Sequence, residues 1–100
     1  MPLRRSGLQK DVLSLYRRAL RMVSTKPEHA QSRFRTFVRY TFRTEATSVS
    51  PRDIGAIEFL LRRGRRQLEL YENPKVTDCF VSPEMYEWDA QHPGRREHRT

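Results

Sequence analysis

One cysteine, Cys79, stands in a chain of one hundred residues. It has no partner for an internal disulfide, so the covalent framework of small secreted domains is excluded. The three histidines, His29, His92 and His98, are scattered, with no cysteine or carboxylate at ligand spacing. Paired-cysteine metal spacing, a glycine-rich phosphate loop and a Ser/His/Asp arrangement are missing as well. No catalytic residues, no metal site and no enzyme activity are expected. Long apolar runs are absent, which excludes a transmembrane helix. No apolar stretch follows Arg4 and Arg5, which excludes a secretory signal. With one serine, three basic residues and no acid, residues 1–10 are compatible with import into mitochondria.

Basic charge is present in quantity. Twenty basic residues face twelve acids, a net charge of +8, and the excess is unevenly placed. Residues 1–73 hold sixteen basic side chains against seven acidic ones, whereas residues 74–100 hold four against five. The second stretch also contains Pro74, Pro83, Pro93 and Gly94. This predicts one folded basic domain, 1–73, followed by a C-terminal tail, 74–100, partly disordered or docked on a partner. Seventeen of the basic residues are arginine. Its planar fork matches carboxylates and phosphates bidentately, so composition alone leaves nucleic acid, an anionic membrane and an acidic protein as partners.

Three helical segments are predicted. Ser6 and Gln9 form a capping-box pattern, followed by Leu8, Val12, Leu15, Ala19 and Met22, with Leu13, Tyr16, Leu20 and Val23 as a second stripe beside them. Thr25 and Glu28 repeat the capping pattern before Ala30, Phe34, Phe37, Val38, Thr41 and Phe42. Residues 44–50 lack a helical period and read as a connector. Ser50 as N-cap and Pro51 at the first position open the third helix, whose stripe is Ile54, Ile57, Leu61, Gly64, Leu68 and Tyr71. Asn73-Pro74 ends it. Short connections predict an all-α, antiparallel three-helix bundle with an irregular tail. Residues 89–100 read as disordered, with a turn of helix placed after Ser82-Pro83.

Two features remain. Leu15-Tyr16-Arg17 puts a core leucine, an amphipathic tyrosine and an edge arginine on the first helix. Arg62-Arg63-Gly64-Arg65-Arg66 crowds four arginines into five helical residues, and Gly costs ~1 kcal/mol relative to Ala there. Glu58 and Glu69, each four residues from an arginine, would offset some repulsion. Taken alone, the run reads as a solvated face, with Gly64 allowing a close helix crossing.

Leu8-Gln9, the stretch from Val12 to Arg17, Val38-Arg39, Phe42-Arg43 and the stretch from Ile57 to Leu68 resemble the LYR-motif family across roughly residues 8–70. The resemblance makes Leu15, Tyr16 and Arg17 the motif, with Phe42 as its downstream phenylalanine and Phe37 the competing candidate. Leu60-Leu61-Arg62 stands where a second Leu-Tyr-Arg would be expected. The resemblance implies a non-catalytic chaperone of the mitochondrial matrix. Its client would be the iron–sulfur subunit of succinate dehydrogenase (complex II), held and protected during cluster insertion. Arg62, Arg63, Gly64, Arg65 and Arg66 would bind that client. The resemblance also implies docking with the cluster-transfer chaperone machinery. No cofactor would be bound directly, because the clusters belong to the client. An alternative is an adaptor for another respiratory complex that receives the acyl-pantetheine of a mitochondrial acyl carrier protein. Arg17, Arg18, Arg39 and Arg43 would then meet the carrier's acidic surface. Nucleic-acid binding is a further alternative by charge alone, but no recognised motif supports it. Membrane-surface attachment ranks lower still, because the arginines spread over all three helices.

Overall fold

In the computed structural model residues 7–93 are described, and among them every regular element is helical. The elements are α1 (Gly7–Ser24), α2 (Glu28–Ser48), α3 (Ile54–Glu72) and α4 (Pro83–Gln91). The expected cap at Ser6 and the import-compatible Arg4 and Arg5 lie outside the described residues, as do Gly94 and His98.

Helix α1 forms where its apolar residues recur at three and four, and Leu15, Ala19, Met22 and Val23 are buried. Leu20, assigned to the second stripe, is 36% exposed instead. Thr25 does not cap α2. Its Oγ1 donates to the Met22 carbonyl at 2.6 Å, closing the end of α1, and α2 starts after Pro27 with no side-chain cap.

Helix α2 is longer than its apolar pattern suggests. The expected connector over 44–50 is helical as far as Ser48. The hydroxyls there return to the helix: Thr44 Oγ1 donates to the Tyr40 carbonyl at 2.8 Å, Thr47 Oγ1 to Arg43 at 3.1 Å, and Ser48 Oγ to Glu45 at 2.8 Å. Such back-bonding keeps β-branched and small polar residues in a helix with no apolar stripe. The helix stops at the extended Val49, before Ser50-Pro51.

Helix α3 opens later than Ser50. Ser50 and Pro51 form a turn in which the Asp53 N–H donates to the Ser50 carbonyl at 3.0 Å. Asp53 is the cap, its Oδ1 accepting from the Ala56 N–H at 3.0 Å. Ile54 therefore sits at the helix mouth, 58% exposed, rather than in the core stripe. Asn73 closes α3, its N–H donating to the Leu70 carbonyl.

The core joins the four buried α1 residues to Ala30, Phe34 and Val38 of α2 and Leu61 and Leu68 of α3. Phe34 is fully enclosed. Buried Lys26 ties the α1–α2 turn to the far end of α3. Its Nζ donates to the carbonyls of Asn73 at 3.1 Å and Val76 at 2.6 Å and lies 5.3 Å from the Phe34 ring centre.

The tail is not irregular throughout. Ser82 caps α4 by accepting from the Met85 N–H at 3.2 Å, and Pro83 occupies the first turn. Asp89–Gln91, expected to be disordered, belong to this helix. Arg39 and Thr36 of α2 hold Asp89 there. Helix α4 lies on α2.

Candidate functional site

The α1 motif divides by depth. Leu15 is buried, Tyr16 is half-buried and Arg17 is exposed. The edge of the Tyr16 ring meets Phe42, with centroids 5.0 Å apart and planes 65° apart. The structure thus brings the tyrosine and its expected downstream phenylalanine together. The competing Phe37 sits elsewhere, 5.4 Å from Tyr71 and nearly perpendicular to it.

Gly64 lies opposite Leu15. A Cβ at Gly64 would stand 3.1 Å from Leu15 Cδ2, so the absent side chain lets α3 cross close to the motif leucine. The four arginines around Gly64 turn outward, and all are exposed. Glu58 and Glu69 form no ion pair with them. Glu45 of α2 is the acid that does, accepting from Arg63 Nη2 at 3.3 Å. Among the described residues Arg62, Arg65 and Arg66 have no ion pair.

Arg62, Arg63 and Arg66 border a shallow depression of about 180 Å³ with Phe59, which is 52% exposed. These four residues fall at i, i+3, i+4 and i+7, one face of the helix. Sequence reasoning passed over Phe59. Its signal was there, because it falls between the core positions Ile57 and Leu61 and so off the apolar stripe.

The arginines expected to meet an acyl carrier are not equally free. Arg18 Nε and Nη2 donate to Glu72 Oε2 and Oε1 at 2.7 and 2.8 Å, a bidentate fork between α1 and α3. This fork holds the Glu72 carboxyl below its ordinary range. Arg39 binds Asp89 and the His92 carbonyl. Arg43 is exposed.

Between α1, α2 and α3 lies a largely apolar cavity of about 850 Å³. Leu8, Val12, Leu15, Phe37, Phe42 and Leu61 are among its walls. Asp11, Glu45, Arg52, Glu58 and Arg63 also border it, and all but the half-exposed Glu45 are exposed, so they form its rim. Its volume is in the range of about 300–1,000 Å³ usual for small-ligand sites.

Among the described residues no cluster of histidine, cysteine or carboxylate would hold a metal ion. Burial pushes the half-buried Cys79 thiol up to about 11, which leaves little thiolate at neutral pH. No helix of the described residues is long and apolar enough to cross a membrane.

Residues 10–70 match the profile of a family described as complex 1 protein (LYR family). The chain is 45% identical over 81 residues to succinate dehydrogenase assembly factor 1A, mitochondrial, of Dictyostelium discoideum, covering 80% of this chain and 89% of that protein. It is 43% identical over 77 residues to succinate dehydrogenase assembly factor 1, mitochondrial, of Schizosaccharomyces pombe, covering 77% and 96%. The Mus musculus protein of that name is 43% identical over 98 residues, covering 93% and 78%. No solved structure matches.

Proposed function

We propose, since the chain belongs to the LYR family of complex 1 proteins, that it is a mitochondrial assembly factor for succinate dehydrogenase. It works as a chaperone, by binding rather than by catalysis, and its client is the iron–sulfur subunit in the matrix. One observation carries the client assignment. Arg62, Arg63, Arg65 and Arg66 stand exposed on α3, three of the four without an acid, and Arg62, Arg63 and Arg66 share a face with the exposed Phe59.

Guanidinium forks bind carboxylates in pairs, and an aromatic ring between them supplies apolar contact. Such a face suits an unfinished polypeptide that still exposes acidic and apolar surface. Holding that surface would keep water and oxidants from the client's cluster ligands until the subunit meets its flavoprotein partner. Gly64 enters as spacing, since it seats the arginine helix on Leu15. Cluster-transfer chaperones would approach the motif through Arg17 and the half-exposed Tyr16, because Leu15 is buried.

An up-down-up course of the helices is supported by the cross-helix pairs. Phe37 with Tyr71 and Glu45 with Arg63 run oppositely along α2 and α3. Leu15 with Gly64 and Arg18 with Glu72 run together along α1 and α3.

Co-purification with the iron–sulfur subunit tests the assignment. An Arg65→Glu/Arg66→Glu variant is expected to keep its helical circular dichroism and to lose the client. A folded variant that captures the subunit as well as the unmodified chain would refute the role of these arginines.

The cavity favours a second reading alongside the first. An apolar space of about 850 Å³ would accept the acyl chain of an acyl carrier protein's pantetheine arm, with Arg17 and Arg43 as the arginines free to meet the carrier. Native mass spectrometry of protein isolated from mitochondria is expected to show the acylated carrier bound. A chain that appears only by itself would remove this reading.

A further inference from the structure

The outer face of α2 already holds a ligand, and that ligand is the protein's own tail. Arg33 Nε and Nη2 donate to Asp78 Oδ1 and Oδ2 at 2.8 and 2.9 Å. Six residues along α2, Arg39 binds Asp89 and the His92 carbonyl. The Thr36 hydroxyl, on a residue 6% exposed, donates to Asp89 Oδ2 at 3.3 Å. Trp88 completes the contact. It meets Tyr40 edge to face at 5.7 Å, lies 5.3 Å from the Arg39 guanidinium and stacks on His92 at 4.4 Å.

The occupant is weakly held compared with what it covers. No residue of α4 is buried, and the helix has nine residues, below the ~12 needed for an isolated helix to persist in water. Its contacts are with α2 rather than with the other two long helices. The ion pairs that fasten it are partly exposed, so salt screens them. A segment whose helix buries no residue, fastened by part-exposed ion pairs and one edge-to-face ring contact, belongs to the low-stability end of a molecule. Removing it would uncover two arginines, a tyrosine and a buried hydroxyl in need of an acceptor. Arginine and tyrosine in that setting are the residues that dominate protein–protein affinity.

We propose that the α2 face formed by Arg33, Thr36, Arg39 and Tyr40 is a docking site for an acidic, aromatic-bearing helical segment of a partner protein, and that α4 fills it in cis as a displaceable strap. The partner segment would present one carboxylate to Arg33, a second to Arg39 and Thr36, and an indole or phenyl ring to Tyr40. The tail fits that description, with four acids against one lysine over residues 74–93. This site is independent of the α3 arginines, so it stands or falls apart from the client assignment.

Trp88 is the sole tryptophan of the chain and reports the strap directly. In the full chain, Asp78→Asn/Asp89→Asn is expected to lower Trp88 fluorescence anisotropy and shift its emission to the red, while the bundle keeps a cooperative thermal transition. Molar salt should do the same to the unmodified chain. The binding probe is a fluorescein-labelled peptide copying residues 76–93, with serine for the cysteine. It is expected to bind the strap-released chain at least tenfold more tightly than the unmodified chain. Adding Arg33→Ala/Arg39→Ala to the released chain should abolish that gain, and a peptide of the same composition in scrambled order should bind at least tenfold more weakly. Equal affinity for both chains, or for both peptides, would overturn the proposal. So would a Trp88 that stays immobile in both the variant and molar salt, or a bundle that unfolds when the strap is freed.

Discussion

Gly64→Ala is the substitution that separates helix packing from client contact. Gly64 sits inside α3 with no positive φ, so an alanine is sterically admissible to the backbone. Replacing a mid-helix glycine with alanine gains ~1 kcal/mol of helix propensity. Against this, the new Cβ would stand 3.1 Å from Leu15 Cδ2, and the leucine must retreat by a few tenths of an ångström. Leu15 borders the cavity of about 850 Å³, so it has room to move. A modest rotamer adjustment costs ~0.5 kcal/mol at the low end. The net expectation is stabilisation by about 0.5 kcal/mol, a rise of roughly 2–4 °C in Tm for a domain of this size. Gly64→Leu would thrust several atoms into the place of Leu15 and is expected to destabilise by ~1–3 kcal/mol. Urea unfolding followed by helical circular dichroism gives both numbers, provided the denaturant slope is unchanged. A loss above ~1 kcal/mol for the alanine variant would refute the reasoning, because it would mean that Leu15 cannot yield. Client capture should survive Gly64→Ala; capture lost at full stability would show that a partner's backbone touches this position.

Three other outcomes follow from single contacts. Glu72 is held below its ordinary 4.5 by the Arg18 fork, so its contribution is complete above that value and is lost as pH falls through the lower, folded one. Thermal unfolding between pH 7 and pH 3 should therefore show a smaller acid loss for Glu72→Gln than for the unmodified chain, and equal losses would contradict the linkage. Lys26→Met keeps the stem and removes the charge that two carbonyls accept from, which should cost about 2–4 kcal/mol in urea unfolding; a change under ~1 kcal/mol would deny Lys26 that role. Cys79, raised from 9.0 to about 11, should react with maleimide at pH 8 on the order of a hundredfold more slowly in the folded chain than in urea, and rates within threefold would rule out the burial.

The long helices were legible because their apolar residues repeat at three and four, a period that local sequence carries whole. Ser82-Pro83 was legible for a similar reason, since a cap and its proline are neighbours. The second half of α2 was not, because Thr44, Thr47 and Ser48 satisfy their hydroxyls on the helix itself and leave no apolar stripe to read. Ser50 reads as the cap of α3 from sequence, and the shift of that role to Asp53 depends on a turn at Pro51 that only the backbone reveals. At the site, Tyr16 lies against Phe42, which the resemblance names but does not place, and the commitments of Arg18 and Arg39 are not visible in the sequence.

Those two commitments show what kind of information was missing. Arg18 meets an acid 54 positions away and Arg39 one 50 positions away. The sequence does display the raw complementarity, a basic body followed by a mildly acidic tail. It does not display the register. Arg33 and Arg39 are six helical residues apart, about 9 Å at 1.5 Å per residue. Their acids, Asp78 and Asp89, are eleven positions apart. The chain between those acids passes from an irregular segment into α4, and Val81 is buried just before that helix begins. Charge therefore selects which segments attract, whereas the buried valine and the Ser82 cap select which carboxylate meets which arginine. On that reasoning the α2 face should discriminate among acidic peptides by the order of their residues and not by their charge alone.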